Sequence, residues 1–424
     1  MTLSAIILAV VLVPGLPAEA EIPETVQFNR DVLPILSDHC FKCHGPDKRQ
    51  RETKQRFDTR AGVERALSKG FLVPGKPQES ELIERLTTDD EDEVMPPPSE
   101  KPRPSAREIS ILRRWIEQGA KWQDHWAFVV PTRQAPPAGG PLDKLDNPVD
   151  RFVSHKLQQA GVQPAPRAGR EVLLRRLSLD LIGLPPSPKE RERFFSDEKP
   201  GAWERLVDRL LASSQYGERM ALYWLDLVRY ADSVGYQKDS HQNIWLYRDY
   251  VIAAFNNNKP FDHFVREQLA GDLMKDPNGS AAQVAEWRIA SGFNRLNQTT
   301  SEGGAQAKEY MAKYAADRVR NTGSIFLGMT TGCAECHDHK YDPITSRDFY
   351  NFAAFFADLK ERGVAQPREV KLPTIEHILK VLPLEQELRE LREILSGKDV
   401  KDTGEVGGRI PALEKKLKEL TRSP

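Results

Sequence analysis

Every cysteine in this chain stands in a C-x-x-C-H. The composition counts four, and they fall at Cys40-Phe41-Lys42-Cys43-His44 and at Cys333-Ala334-Glu335-Cys336-His337. Two thiols at this spacing, on a turn of helix, face the same side. They can then form thioethers with the two vinyl groups on one porphyrin edge, while the next residue offers an imidazole nitrogen to the iron. The spacing predicts a haem c held by Cys40 and Cys43 with His44 as axial ligand, and a second held by Cys333 and Cys336 with His337. Two other chemistries use C-x-x-C. A thioredoxin-like redox pair expects a βαβ context, which is not visible here. A four-cysteine zinc site expects its two pairs some tens of residues apart and would leave both histidines unexplained.

Covalent haem is attached outside the bacterial cytoplasm, so an export signal is the companion expectation. Residues 5–13, Ala-Ile-Ile-Leu-Ala-Val-Val-Leu-Val, form an apolar run too short to span a bilayer, and Ala18-Glu19-Ala20 offers a cleavage site. This predicts a signal peptide over 1–20, cleaved near Ala20, and a periplasmic or otherwise exported protein. The n-region lacks Lys and Arg, and the competing reading is a buried N-terminal strand. No later segment reaches transmembrane length. A net charge of -1 gives no reason to expect nucleic acid as a partner. At 424 residues, two or three domains are expected.

A first domain is expected over 24–128, as a small cytochrome c-like helical unit. Asn29 to Leu36 reads as a short helix leading into the first motif. Ser80 to Leu86 reads as a helix capped by Ser80. Ser105 with Glu108 makes a capping box for a helix to Gln118, with Ile109, Leu112, Trp115 and Ile116 as its apolar stripe. Before it lies Met95-Pro96-Pro97-Pro98. Prolines hold the preceding residue out of the helical region, so the Met95 thioether is offered rigidly to the haem face opposite His44. Ordinary loop packing of Met95 is the alternative.

A Pro-rich linker over 129–146 precedes a larger, mostly helical domain over 147–358. Helices are expected near 149–160, 171–182, 202–212, 221–230, 244–255 and 261–269. Asp226 and Arg229 sit i,i+3, and Arg229 and Arg248 are candidates to hold haem propionates, against local helix ion pairs. The second motif continues as Asp338-His339-Lys340-Tyr341-Asp342-Pro343, a denser polar run than attachment needs. His339 lies too near His337 to ligate the same iron from the opposite face. His241, His263 and Met329 are candidate distal ligands, and an open position is equally compatible. The segment 374–422 reads as a charged helical hairpin or coiled-coil arm, broken over 404–411, with docking as its suggested role.

These residues also carry a resemblance. Asn29 to Leu36, Cys40 to Asp47, Val73-Pro74-Gly75, Met95-Pro96-Pro97 and Trp115 to Ala120 resemble the planctomycete-type cytochrome c domain. Asp180 to Pro186, Tyr216 to Arg219, Trp224 to Asp232, Tyr247 to Val251 and Cys333 to Pro343 resemble the DUF1549-like domain of unknown function that follows it. The resemblance implies an exported haem protein with electron-transfer function. It implies Cys40, Cys43 and His44 as first-haem residues with Met95 axial, and Cys333, Cys336 and His337 as the second set. The pattern does not demand His241 or His263. Such proteins usually continue into a further, DUF1553-like domain, which is lacking before Pro424.

Taken together, a mainly α protein is expected, an exported dihaem c-type cytochrome that passes electrons between unidentified redox partner proteins. No catalytic residue is assigned. The competing readings are two. One is a peroxidase-like or other haem oxidoreductase, with an open second iron and Asp338, His339, Lys340 and Tyr341 as acid/base groups. The other is a redox or docking module of a larger complex.

Overall fold

The computed structural model describes residues 22–99, 103–142, 147–235, 239–277, 279–365, 369–396 and 403–422. The expected signal peptide and its cleavage site lie outside the described residues. Among those described, seventeen α-helices, a π-helical turn and short 3₁₀ turns account for the architecture. Among the described residues, an isolated bridge between Ser233 and His241 is the one trace of β pairing. The chain is mainly α, as its patterning predicts. No helix among the described residues is long and apolar enough to cross a membrane.

The chain divides into two compact units. The first joins the N-terminal residues to Gln134 with a distant segment, Cys333–Phe349; the second holds Ala135–Gly332 and Tyr350 onward. One boundary falls inside the Pro-rich stretch. The other sets the second C-x-x-C-H in the unit that contains the first, whereas the sequence expectation placed it with residues 147–358. The packing partner of Cys333–Phe349 is far away in sequence, so no local pattern announces it.

In the first unit, a helical turn at Phe28–Val32 runs into the helix Leu33–His39. Phe28, Val32, Ile35 and Leu36 recur at helical spacing and are buried against Leu112, Trp115 and Ile116 of the helix Ala106–Glu117. The Phe28 ring lies 5.7 Å from Trp115 and 4.5 Å from Trp122. Each such fully buried apolar side chain contributes roughly 1.5–3 kcal/mol. The Ser105–Glu108 capping box forms as expected: Glu108 N–H donates to Ser105 Oγ at 3.3 Å, and Ser105 N–H to Glu108 Oε2 at 2.7 Å.

One local expectation needs correcting. Ser80 precedes the helix Glu81–Thr87 but makes no side-chain cap. Its hydroxyl instead donates to Lys76 O at 3.1 Å and accepts from Val73 N–H at 2.9 Å, tying down the preceding loop. A further helix, Arg60–Ser68, was not expected; Thr59 caps it, its hydroxyl accepting from Gly62 N–H at 3.1 Å.

In the second unit, the helices Ser214–Leu227 and Trp245–Asn256 pack closely enough that a Cβ on Gly217 would lie 2.4 Å from Ile252 O. Glycine is required there by the approach of backbone to backbone. Trp224 Nε1–H donates to Tyr247 Oη (3.0 Å) and Gln268 Oε1 (3.1 Å), satisfying the polar edge of this aromatic core. Val149, Phe152 and Val153 of the helix Pro148–Gln159 stay exposed, so its apolar stripe is not a core face. The C-terminal helices Ile375–Ser396 and Thr403–Arg422 pair, with Arg392 2.6 Å from Glu414 and Arg409 bonded to Glu387. Ile375, Ile378 and Val381 enter the main core of the unit. The break expected over 404–411 is absent: helix runs through it with Pro411 inside, tertiary pairing overriding propensity.

Candidate functional site

Cys40 closes the helix Leu33–His39, its N–H donating to Leu36 O at 2.8 Å. The next turn, Phe41–His44, is helical: Cys43 N–H and His44 N–H both donate to Cys40 O, at 3.2 and 2.8 Å. The C-x-x-C spacing thus sits on a helical turn, as the sequence predicts. Phe41, between the cysteines, is buried in the core and anchors that turn. Gly45 ends it where a Cβ would lie 2.2 Å from Phe41 O, so only glycine fits after the histidine.

His44 is oriented by its neighbours. Its Nδ1 lies 3.1 Å from Gln55 O. A carbonyl only accepts, so Nδ1 carries the proton and Nε2 keeps the lone pair that binds a metal. Burial lowers the imidazole pKa, the Gln55 carbonyl opposing it less strongly, so the neutral ring is favoured. Phe57 packs at 5.3 Å, and Phe57 N–H donates to His44 O at 3.0 Å. All four cysteines are free thiols. Burial, with Cys43 adding to it, pushes the Cys40 thiol up to about 12.

Met95 is half-buried in the same unit, next to the buried Val94, and its N–H donates to Arg85 O at 2.9 Å. At the second motif, Gly332–Glu335 forms a 3₁₀ turn, and Cys336 N–H and His337 N–H both reach Cys333 O at 3.3 Å. Cys333 and Cys336 are exposed. His337 Nδ1 lies 2.9 Å from Asp338 O, which again leaves Nε2 for a metal. The donor sets of both motifs therefore fit haem c: paired free thiols and an imidazole whose outer nitrogen is available.

The polar run after His337 is built into the fold. His339 is buried, and its Nδ1 accepts from Asp342 N–H (2.9 Å) and Tyr341 N–H (3.3 Å). Asp342 Oδ1 lies 3.0 Å from His125 Nε2, a partner 217 residues away that sequence reasoning missed and that no local pattern signals. Lys340 Nζ lies 3.1 Å from both Asp38 Oδ1 and Tyr341 Oη. A cleft of about 780 Å³, within the range of small-molecule pockets, lies between this run and the flanks of the first motif, with Phe41, Pro46, Arg56 and Asp338 among its walls.

The remaining candidates belong to the second unit. His241 Nε2 lies 3.1 Å from Asn243 Oδ1, His263 is exposed beside Asp262, and Met329 is buried. Arg229 makes a bidentate pair with Asp317 (3.0 and 2.8 Å), and Arg248 pairs with Asp249. The Asp226 carbonyl accepts from the Val228 and Arg229 backbone N–H groups, and Arg229 pairs with Asp317 rather than with Asp226. Both arginines are held by protein carboxylates, Arg229 by one 88 residues away rather than by a local helix partner.

Comparison with known families gives two matches. The model described as planctomycete cytochrome C matches residues 40–99, which span Cys40, Cys43, His44 and Met95. The model described as a protein of unknown function, DUF1549, matches residues 148–361, about half the chain. No curated protein and no solved structure matches. The chain thus belongs to the DUF1549 family and carries that domain behind a planctomycete cytochrome c domain.

Proposed function

We propose that this protein is an exported c-type cytochrome that carries two covalent haems and transfers electrons between redox proteins. The observation that carries the reading is the His44–Gln55 hydrogen bond. It holds the imidazole of a C-x-x-C-H as the tautomer, and in the neutral state, that ligates iron. When bound, haem supplies a one-electron couple. Cys40 and Cys43 would hold it covalently, and His44 and Met95 would ligate its iron, the thioether raising the potential. Cys333, Cys336 and His337 hold the second group in the same way.

A specific observation favours transfer over peroxidase-like catalysis. Around the second motif, His339 Nδ1 is occupied by two backbone N–H groups, Asp342 by His125, and Lys340 by Asp38 and Tyr341. These groups are engaged in structure rather than poised as free acids and bases. The electron donor and acceptor are proteins, and the exposed charged face of the C-terminal helix pair, with Lys415, Lys416 and Lys418, is the docking element proposed for them.

Spectroelectrochemistry of the exported holoprotein, with and without carbon monoxide, tests this reading. Two reversible one-electron reduction steps with no carbon monoxide complex are expected. A carbon monoxide complex at the second haem would move the function to oxidoreductase chemistry.

A further inference from the structure

We infer that the two C-x-x-C-H centres form one electron-transfer pair inside the N-terminal unit, joined through the face that residues 338–347 make with residues 28–60. This rests on the two-haem reading above. Chain order alone would instead join them across the Pro-rich stretch 129–146.

The second motif is most of the chain away from the first, yet Cys333–Phe349 folds into the first motif's unit. Lys340, just after His337, pairs with Asp38, just before Cys40, at 3.1 Å. The Tyr341 hydroxyl reaches the same carboxylate at 3.5 Å. Behind them Asp342 is held by His125 at 3.0 Å, with side chains 21% and 9% exposed, so the contact is largely shielded from water and its screening.

Residues beside each axial histidine reach this face. His44 donates through Nδ1 to Gln55 O, and His337 through Nδ1 to Asp338 O. Arg56, next in chain to Gln55, lines the same cleft as Asp338. The Asp338 charge contributes to raising the Arg56 pKa, after its hydrogen bond to Asp58, as expected for neighbours. Arg56, the neighbour of His44's partner Gln55, and Asp338, the partner of His337, thus share one cleft. Such partners tune a bound metal, so a charge change at one centre is felt at the other. The step balances simply: one electron leaves one centre, which is oxidised, and enters the other, which is reduced. No bond forms and no proton moves.

The test uses the full exported holoprotein. Intact mass gives the haem count, and electron paramagnetic resonance of the frozen, fully oxidised protein gives the magnetic coupling. A redox titration follows both centres. Expected are two haems, spectra broadened by spin–spin interaction, and a second reduction step that depends on the state of the first. In Lys340→Glu, which sets two carboxylates against each other, haem count should hold while the coupling weakens. Two haems with isolated spectra and independent steps would overturn the inference and leave the cytochrome reading standing. Coupling unchanged in Lys340→Glu would place the pairing on another face and overturn it too. A single haem would overturn both.

Discussion

Replacing Gly45 by Ala should damage the first haem site without touching a ligand. Gly45 has φ -110° and ψ -162°, extended backbone open to any residue, so the cost is not conformational strain. It is steric. A Cβ would stand 2.2 Å from Phe41 O, 2.6 Å from Phe41 Cβ and 2.8 Å from Phe41 C. That is more than about 1 Å inside ordinary contact, and the obstacle is mainly backbone. The turn that carries both cysteines must open or Gly45 must shift, and either moves His44 away from Gln55. Overpacking of this kind costs about 1–3 kcal/mol. With a urea slope of about 1–3 kcal/mol per molar, the midpoint of the N-terminal unit should fall by about 1 M. The assay is urea unfolding followed at the haem absorbance, with haem content by pyridine haemochrome. An alanine variant with full haem content and an unchanged midpoint would refute the steric argument.

Other outcomes follow from particular residues. In haem-free protein at pH 8, iodoacetamide should label the exposed Cys333 and Cys336 well before Cys40. Raising that thiol from 9.0 to about 12 cuts its thiolate about a thousandfold; equal labelling by peptide mapping would contradict this. Ser105→Ala should cost about 1 kcal/mol in urea unfolding by removing the capping box. The same variant should blunt the acid sensitivity of the unit. Burial raises the Glu108 pKa, but the Ser105 hydrogen bonds and His39 outweigh it, leaving a net depression below 4.5. That stabilisation is present above pH 4.5 and is lost as pH falls through the depressed folded value. Arg318→Leu should destabilise the second unit by about 3–5 kcal/mol, because it strands the buried Glu361 carboxylate 2.7 Å from the lost guanidinium. Met95→Ala should lower the midpoint potential of the first haem, and an unchanged potential would remove Met95 from the iron.

What was legible in the sequence is what local chemistry determines. The C-x-x-C-H spacing is set by a covalent product, so both motifs were readable and both adopt the expected turn. The helix Ala106–Glu117 was readable because cap, stripe and stop lie within one short stretch. The helix Arg60–Ser68 carries weaker signals, Thr59 before it and Val63 with Ala66 inside, diluted by Gly62. Ser80 misled because its hydroxyl had a nearer partner in Lys76 O than the helix it precedes. The His125–Asp342 pair and the joining of Cys333–Phe349 to the N-terminal unit were not readable at all. Both depend on contacts across most of the chain, and neither motif nor period encodes the meeting. The exposed stripe of Pro148–Gln159 shows the converse: an apolar period is evidence of a face, not of what covers it.

The central claim is that both C-x-x-C-H motifs hold haem. Intact mass with a pyridine haemochrome assay, on protein exported by a host that makes c-type cytochromes, tests it most directly. Two covalent haems per chain are predicted, falling to one in Cys40→Ala/Cys43→Ala and to one in Cys333→Ala/Cys336→Ala. A chain that exports folded with one haem, or with none, would contradict the account.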